Sequence, residues 1–123
     1  MKRILITEDQ PDIRKLIRMT LEFEDYDIRE APDGAEGLRI VREFHPDLVL
    51  LDIMMPGELD GLQVCKRIKS DPQLSQIRVI LLTARGQVAD KQAGKDAGAD
   101  GYLIKPFSPL ELIETLENML ASA

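Results

Sequence analysis

The 123-residue chain is long enough for one domain with a substantial core and too short for two, so a single domain over residues 1–123 is expected. Hydrophobic residues at 44% and charged residues at 31%, with no window near the length of a membrane span, exclude an integral membrane protein. A net charge of −6 with no gathered run of Lys or Arg argues against direct nucleic-acid binding, and the lone Cys65 excludes an internal disulfide. The chain enters a strand pattern with no signal peptide, so a cytoplasmic location is expected.

Arg3 to Thr7 (RILIT) is a short β-branched and leucine run that ends in the acid pair Glu8 and Asp9. Pro11 then opens a predicted helix to about Glu24, with Ile13, Leu16, Ile17 and Leu21 spaced as one apolar stripe. Tyr26 to Ala31 alternates weakly, as an edge strand does, before Pro32, Asp33 and Gly34. A second helix is predicted from about Ala35 to Phe44, stopped by Pro46, with His45 as a helix-end cation.

Leu48 to Leu51 are four consecutive apolar residues, too few for a helix and too uniform for a half-exposed strand, so they predict a strand buried on both faces. The run stops at Asp52 and is followed by Ile53, Met54, Met55 and the breakers Pro56 and Gly57. Gly61 to Ser70 predicts a third helix, with Leu62, Cys65 and Ile68 on one side and Cys65 as inert packing. Arg78 to Thr83 is another apolar strand, ending in a hydroxyl. From about Gln87 to Ala97 the helical pattern is thin, and Gly94 in its interior costs about 1 kcal/mol relative to Ala, so this helix is expected to be the least firmly seated. Gly101 to Ile104 predicts a fifth strand running into Lys105 and Pro106. The final helix starts at Ser108 with a capping-box pattern to Glu111, and Leu112, Ile113, Leu116, Met119 and Leu120 are expected to face inward.

Five strands alternating with five helices predict an α/β fold with a doubly wound parallel sheet covered on both faces, since each parallel connection needs a crossover helix. In such sheets ligands bind beyond the carboxyl ends of the strands. The groups delivered to that rim are Glu8, Asp9, Asp52, Thr83 and Lys105. Taken singly, Asp52 reads as a turn or cap residue, Glu8 and Asp9 as caps, Thr83 as an ordinary strand residue and Lys105 as a solvated strand end. Brought together, three carboxylates repel one another unless a cation neutralises them, which argues for a bound metal. With oxygen ligands only, the hard ion Mg²⁺ fits best, and Mn²⁺ could substitute. A carboxylate, a divalent ion, a hydroxyl and an ammonium are the parts that phosphoryl transfer to an aspartate needs. In that scheme Asp52 is the nucleophile, Asp9 and Asp52 hold the metal with Glu8 binding directly or through water, and Lys105 and Thr83 take phosphoryl oxygens.

The acid pair in TED (Thr7 to Asp9), DIMMP around Asp52, LLTA around Thr83 and YLIKPF from Tyr102 to Phe107 resemble, in order and spacing, the receiver domain of two-component response regulators along essentially the whole chain. The resemblance is to chemotaxis-type single-domain receivers. It implies a flavodoxin-like (βα)5 fold with strand order 2-1-3-4-5 and helices on both faces. Asp52 would be the phosphoacceptor, Glu8, Asp9, Asp52 and the Met54 backbone carbonyl the metal ligands, and Lys105 the phosphate-pairing lysine. Thr83 and Tyr102 would form a switch pair that remodels the face made by the fourth helix, fifth strand and fifth helix. The implied partners are a sensor histidine kinase or phosphotransfer protein, and a downstream target or an output domain outside this chain. The loop PGELDG is one residue longer than receivers commonly have, and Met54 and Arg85 suggest slow self-hydrolysis of the acyl phosphate. Lys91 and Glu111 could join the charged pairing some receivers use to dimerise, but Gly101 and Thr115 carry no charge, so a monomer or a weak phosphorylation-dependent dimer is expected.

Three other readings stand beside this one. A metal-dependent phosphatase working through an aspartyl phosphate wants a second acid two residues after its nucleophile, where this chain has Met54. A flavodoxin-like flavin carrier needs a Ser/Thr/Gly-rich phosphate loop after the first strand, where this chain has Glu8, Asp9, Gln10 and Pro11. A degenerate receiver would only bind partners.

Overall fold

The computed structural model describes residues 1–84 and 88–121, and the side chains of residues 84 and 88–91 fall outside that description. The elements run β1 (Lys2–Thr7), α1 (Pro11–Leu21), β2 (Tyr26–Ala31), α2 (Gly34–Phe44), β3 (Leu48–Asp52), α3 (Gly61–Ser70), β4 (Arg78–Ala84), α4 (Val88–Asp96), β5 (Gly101–Lys105) and α5 (Pro109–Ala121). All strand pairings are parallel and the sheet order is β2-β1-β3-β4-β5, the order the resemblance implied.

Strand β3 lies in the middle of the sheet and is buried along its full length. Its side chains alternate between two cores: Val49 and Leu51 face the layer of α2, α3 and α4, while Leu48 and Leu50 face α1 and α5. With helices on both faces, no position of β3 meets water, which is why its sequence is continuously apolar rather than alternating. The charge that ends the strand is thereby placed at the sheet's carboxyl rim.

Local chemistry sets the helix starts. Asp33 caps α2 by accepting from the Glu36 N–H (2.8 Å). Asp60 caps α3 in a full capping box: its Oδ1 accepts from Gln63 N–H and Gln63 Oε1 accepts from Asp60 N–H, both at 2.9 Å. Ser108 and Glu111 form the box predicted for α5, with Glu111 N–H donating to Ser108 Oγ at 3.1 Å. Glu8 and Asp9 do not cap α1, whose N-cap is Gln10 without a side-chain cap bond. His45 ends α2 in the left-handed conformation, φ 49°. Cys65 is buried, and burial pushes its thiol up to about 11, as inert packing requires.

Two helices depart from the predicted pattern. Helix α1 stops at Leu21 rather than Glu24, because the Glu24 and Tyr26 N–H groups turn back to Leu21 and Glu24 carbonyls to start β2. Leu16, predicted inside, is 52% exposed; the buried line is Ile17, Thr20 and Leu21, and Thr20 satisfies its hydroxyl on the Leu16 carbonyl (2.9 Å). In α5 only Leu112 and Leu116 are fully buried, with Ile113, Met119 and Leu120 partly so.

Thr7 closes β1 fully buried, and its Oγ1 is the one buried side-chain polar atom without a hydrogen-bond partner among the described residues. A buried hydroxyl left unpaired costs about 1–3 kcal/mol, and valine has nearly the same shape. Thr7→Val should therefore raise the unfolding free energy by about 1 kcal/mol in a urea melt. A loss of stability would mean that the hydroxyl is satisfied after all.

Candidate functional site

The parallel register carries four polar groups to one place. Glu8 and Asp9 follow the end of β1, Asp52 ends β3 opposite Leu82 of β4, and Lys105 ends β5 opposite Ala84. Thr83 stands one residue beyond Leu82, paired with Ile104, and Tyr102 pairs with Leu81 further back from the rim. Strand tips from three neighbouring pairs meet only because the order places β1 between β2 and β3 and β4 beyond them.

Burial then makes the cluster electrostatically costly. Glu8 is 0% exposed, Asp52 4%, and Thr83 is also buried. One carboxylate oxygen from each of Glu8, Asp9 and Asp52 lies within 4.8 Å of the others. Lys105 Nζ stands 2.7 Å from Glu8 Oε1 and 3.4 Å from Asp52 Oδ2, so a single ammonium serves two buried acids. Asp52 Oδ1 accepts from the Met54 backbone N–H at 3.2 Å, and the second oxygen of Glu8 accepts from Gln10 N–H at 3.2 Å. Burial pushes the Asp52 carboxyl up to about 8, the adjacent Glu8 carboxyl adds to the rise, Lys105 opposes it, and Asp9 adds a smaller increment.

This donor set fits a hard divalent cation. Three carboxylates converge with oxygen atoms only, and burial together with the neighbouring Glu8 carboxyl makes Asp52 resist ionising in the absence of further positive charge. Met54 carries its side chain 72% exposed beside the cluster, so the thioether stands in solvent rather than against Asp52. Arg85 and the Lys91 side chain lie outside the described residues.

Two features of the site were not anticipated from the sequence. Lys105 is held by Glu8 more closely than by Asp52, a contact between residues 97 positions apart that only the register brings about. Gly61, the first residue of α3, packs directly on the backbone that carries Asp52: a Cβ there would stand 2.1 Å from the Asp52 carbonyl oxygen. The Gly at the start of a capped helix in the sequence was the available signal.

A five-stranded doubly wound sheet with an acid cluster and a lysine at its carboxyl rim defines a class of α/β proteins that place chemistry at strand ends. The response regulator receiver domain family matches residues 4–117, and the chain belongs to that family. Such domains work with histidine kinases in two-component signalling.

Over 98% of its length the chain is 42% identical to the DNA-binding dual master transcriptional regulator RpaA of Synechocystis sp. and 42% identical to the transcriptional regulatory protein ResD of Bacillus subtilis. It spans about half of each, 49% in both cases. Among solved structures, the chemotaxis response regulator CheY4 of Vibrio cholerae matches with a TM-score of 0.90 and 32% identity over 98% of this chain and 99% of that one. Among the described residues no helix is long and apolar enough to cross a membrane.

Proposed function

We propose that this receiver is a phosphorylation-controlled switch in which Asp52 accepts a phosphoryl group from the phosphohistidine of a sensor kinase or phosphotransfer protein. The observation that carries this reading is the ammonium of Lys105 bridging Glu8 (2.7 Å) and Asp52 (3.4 Å) inside a cluster of three carboxylates. An Asp52 carboxylate oxygen attacks phosphorus, the bond from phosphorus to the donor nitrogen breaks, and the donor histidine leaves with that electron pair. Lys105 balances charge on the transferred oxygens, and the Met54 N–H holds the carboxylate in place. Glu8, Asp9, Asp52 and the Met54 carbonyl would hold Mg²⁺ or Mn²⁺, which when bound supplies positive charge to the phosphoryl oxygens.

Thr83 and Tyr102 then serve as the switch pair, relaying the change to the face of α4, β5 and α5, where a downstream protein or an output domain would read it. Helix α4 suits that role, since its apolar pattern is thin and a loosely seated element is cheap to move. The phosphatase reading gains nothing from the structure: the residue two beyond Asp52 is an exposed methionine that offers Asp52 only a backbone N–H.

Intact mass after exposure to Mg²⁺ and a small acyl phosphate or phosphorylated cognate kinase tests the proposal. One added phosphoryl group in the wild type and none in Asp52→Asn is the expected result. An equal gain in the variant, or none in the folded wild type with either donor, would overturn it.

A further inference from the structure

The backbone of Glu8 is held as closely as its side chain. Its N–H donates to the Ala31 carbonyl at the end of β2 (3.1 Å), and its own carbonyl accepts from Arg14 Nη1 on α1 (2.8 Å). The residue is fully buried, so that carbonyl needs a partner. Arg14 is in turn fixed by Glu30 on β2, whose Oε1 accepts from Arg14 Nε at 3.2 Å. The other oxygen of Glu30 accepts from Arg18 Nη1, one turn further along α1, at 2.8 Å. Arg18 Nε donates to Glu22 (3.2 Å), away from the acid cluster. Arg14 is the more enclosed of the two arginines, its side chain 21% exposed against 37% for Arg18. The Glu8 carbonyl lies in the rigid peptide plane that joins Glu8 to Asp9, so a bond to it restrains the rotation that sets where Asp9 projects.

We propose that Arg14 is a positioning residue for the acid pair: pinned by Glu30, its guanidinium holds the peptide between Glu8 and Asp9 and so aligns the Asp9 carboxylate with Glu8 and Asp52. One planar group bonds the carboxylate through Nε and the carbonyl through Nη1 at once, which the point charge of an ammonium does not do. The effect on metal binding rests on the cation site proposed above, whereas the hold on the peptide needs no cation.

A positioning role and a purely electrostatic one predict opposite signs. Removing a positive charge near a site for Mg²⁺ or Mn²⁺ relieves repulsion and tightens binding. Removing the support of a metal-binding acid loosens it, by about 10- to 100-fold in metal sites generally. Arg14→Met keeps the apolar stem without the guanidinium and should weaken Mn²⁺ binding about tenfold, with free Mn²⁺ read by electron paramagnetic resonance. Arg18→Met removes the same charge one turn away and should leave the affinity within about twofold. Arg14→Lys restores the charge without the planar fork, so its affinity should stay low. In the metal-free protein the Glu8 carbonyl carbon-13 resonance should move upfield in Arg14→Met and stay in place in Arg18→Met.

Unchanged or tighter Mn²⁺ binding in a folded Arg14→Met protein, or a Glu8 carbonyl resonance that does not move, would overturn the role. Should Arg14→Met fail to fold, Arg14→Lys carries both measurements with the same expected results. A wild type that binds no Mn²⁺ removes the cation site, and the carbonyl resonance, read without metal, still decides the hold on the peptide.

Discussion

Without divalent cations the protein should lose several kcal/mol of stability between pH 4 and pH 8, and Asp52→Asn should remove most of that loss. The sign follows from the direction of the shift. The Asp52 carboxyl is pushed up to about 8 in the fold, chiefly by burial and then by Glu8, whereas an aspartate in the unfolded chain ionises near 3.9. Between those values the folded state keeps a proton that the unfolded state has released. The stability is therefore fully present below about pH 4 and is lost as pH rises through the folded value. Each unit in the window is worth at most about 1.4 kcal/mol, and the shared proton of the acid cluster makes the total on the order of 3–5 kcal/mol.

A divalent cation reverses the trend, because it binds the ionised carboxylates and the unfolded chain has no such site. At a hundredfold excess over its dissociation constant it should add about 2.7 kcal/mol, and more at pH 8 than at pH 5, since protons must leave first. Urea melts of wild type and Asp52→Asn at the two pH values, with and without Mg²⁺, separate these effects. Titrating groups outside the Glu8, Asp9 and Asp52 cluster act on both proteins equally. Parallel pH curves for the two proteins, or an equal gain from Mg²⁺ in both, would show that Asp52 is neither the strained acid nor part of the cation site.

The cluster was legible in the sequence to the extent that its members interrupt apolar runs. Asp52 after four buried residues, Thr83 after RVILL and Lys105 after GYLI each announce a strand tip, and parallel connection puts strand tips on one rim. What periodicity cannot convey is which tips touch. The 2.7 Å contact of Lys105 with Glu8 depends on β1 and β5 flanking β3 and β4, an order taken from a resemblance and then found in the sheet. Helix faces were less readable than strands. Leu16 and Ile17 are both apolar and differ by about 100° around α1, and threonine satisfied by a carbonyl took the inner position at residue 20. A contact made by the lack of a side chain, at Gly61, leaves no apolar signature at all.

Gly61→Ala should cost about 3 kcal/mol and uncouple the protein from Mg²⁺. Gly61 begins α3 after the Asp60 capping box, and its N–H donates to the Ile53 carbonyl at 3.0 Å. A Cβ would stand 2.1 Å from the Asp52 carbonyl oxygen and 2.7 Å from Ile53 Cα, both backbone atoms held in the central strand and the segment leaving it. Neither can swing aside as a side-chain tip would, so α3 must lift or the end of β3 must turn. Either movement shifts the Asp52 carboxylate relative to Glu8, Asp9 and Lys105. Gly57 is the natural comparison: it has φ +100° and nothing within 4 Å of where a Cβ would stand, so alanine there meets only left-handed backbone strain. Gly57→Ala should cost about 1–2 kcal/mol and leave the response to Mg²⁺ intact. Equal losses in the two variants, or a Gly61→Ala protein that still gains full stability from Mg²⁺, would show that the close approach of α3 to β3 does not hold the acid cluster in register.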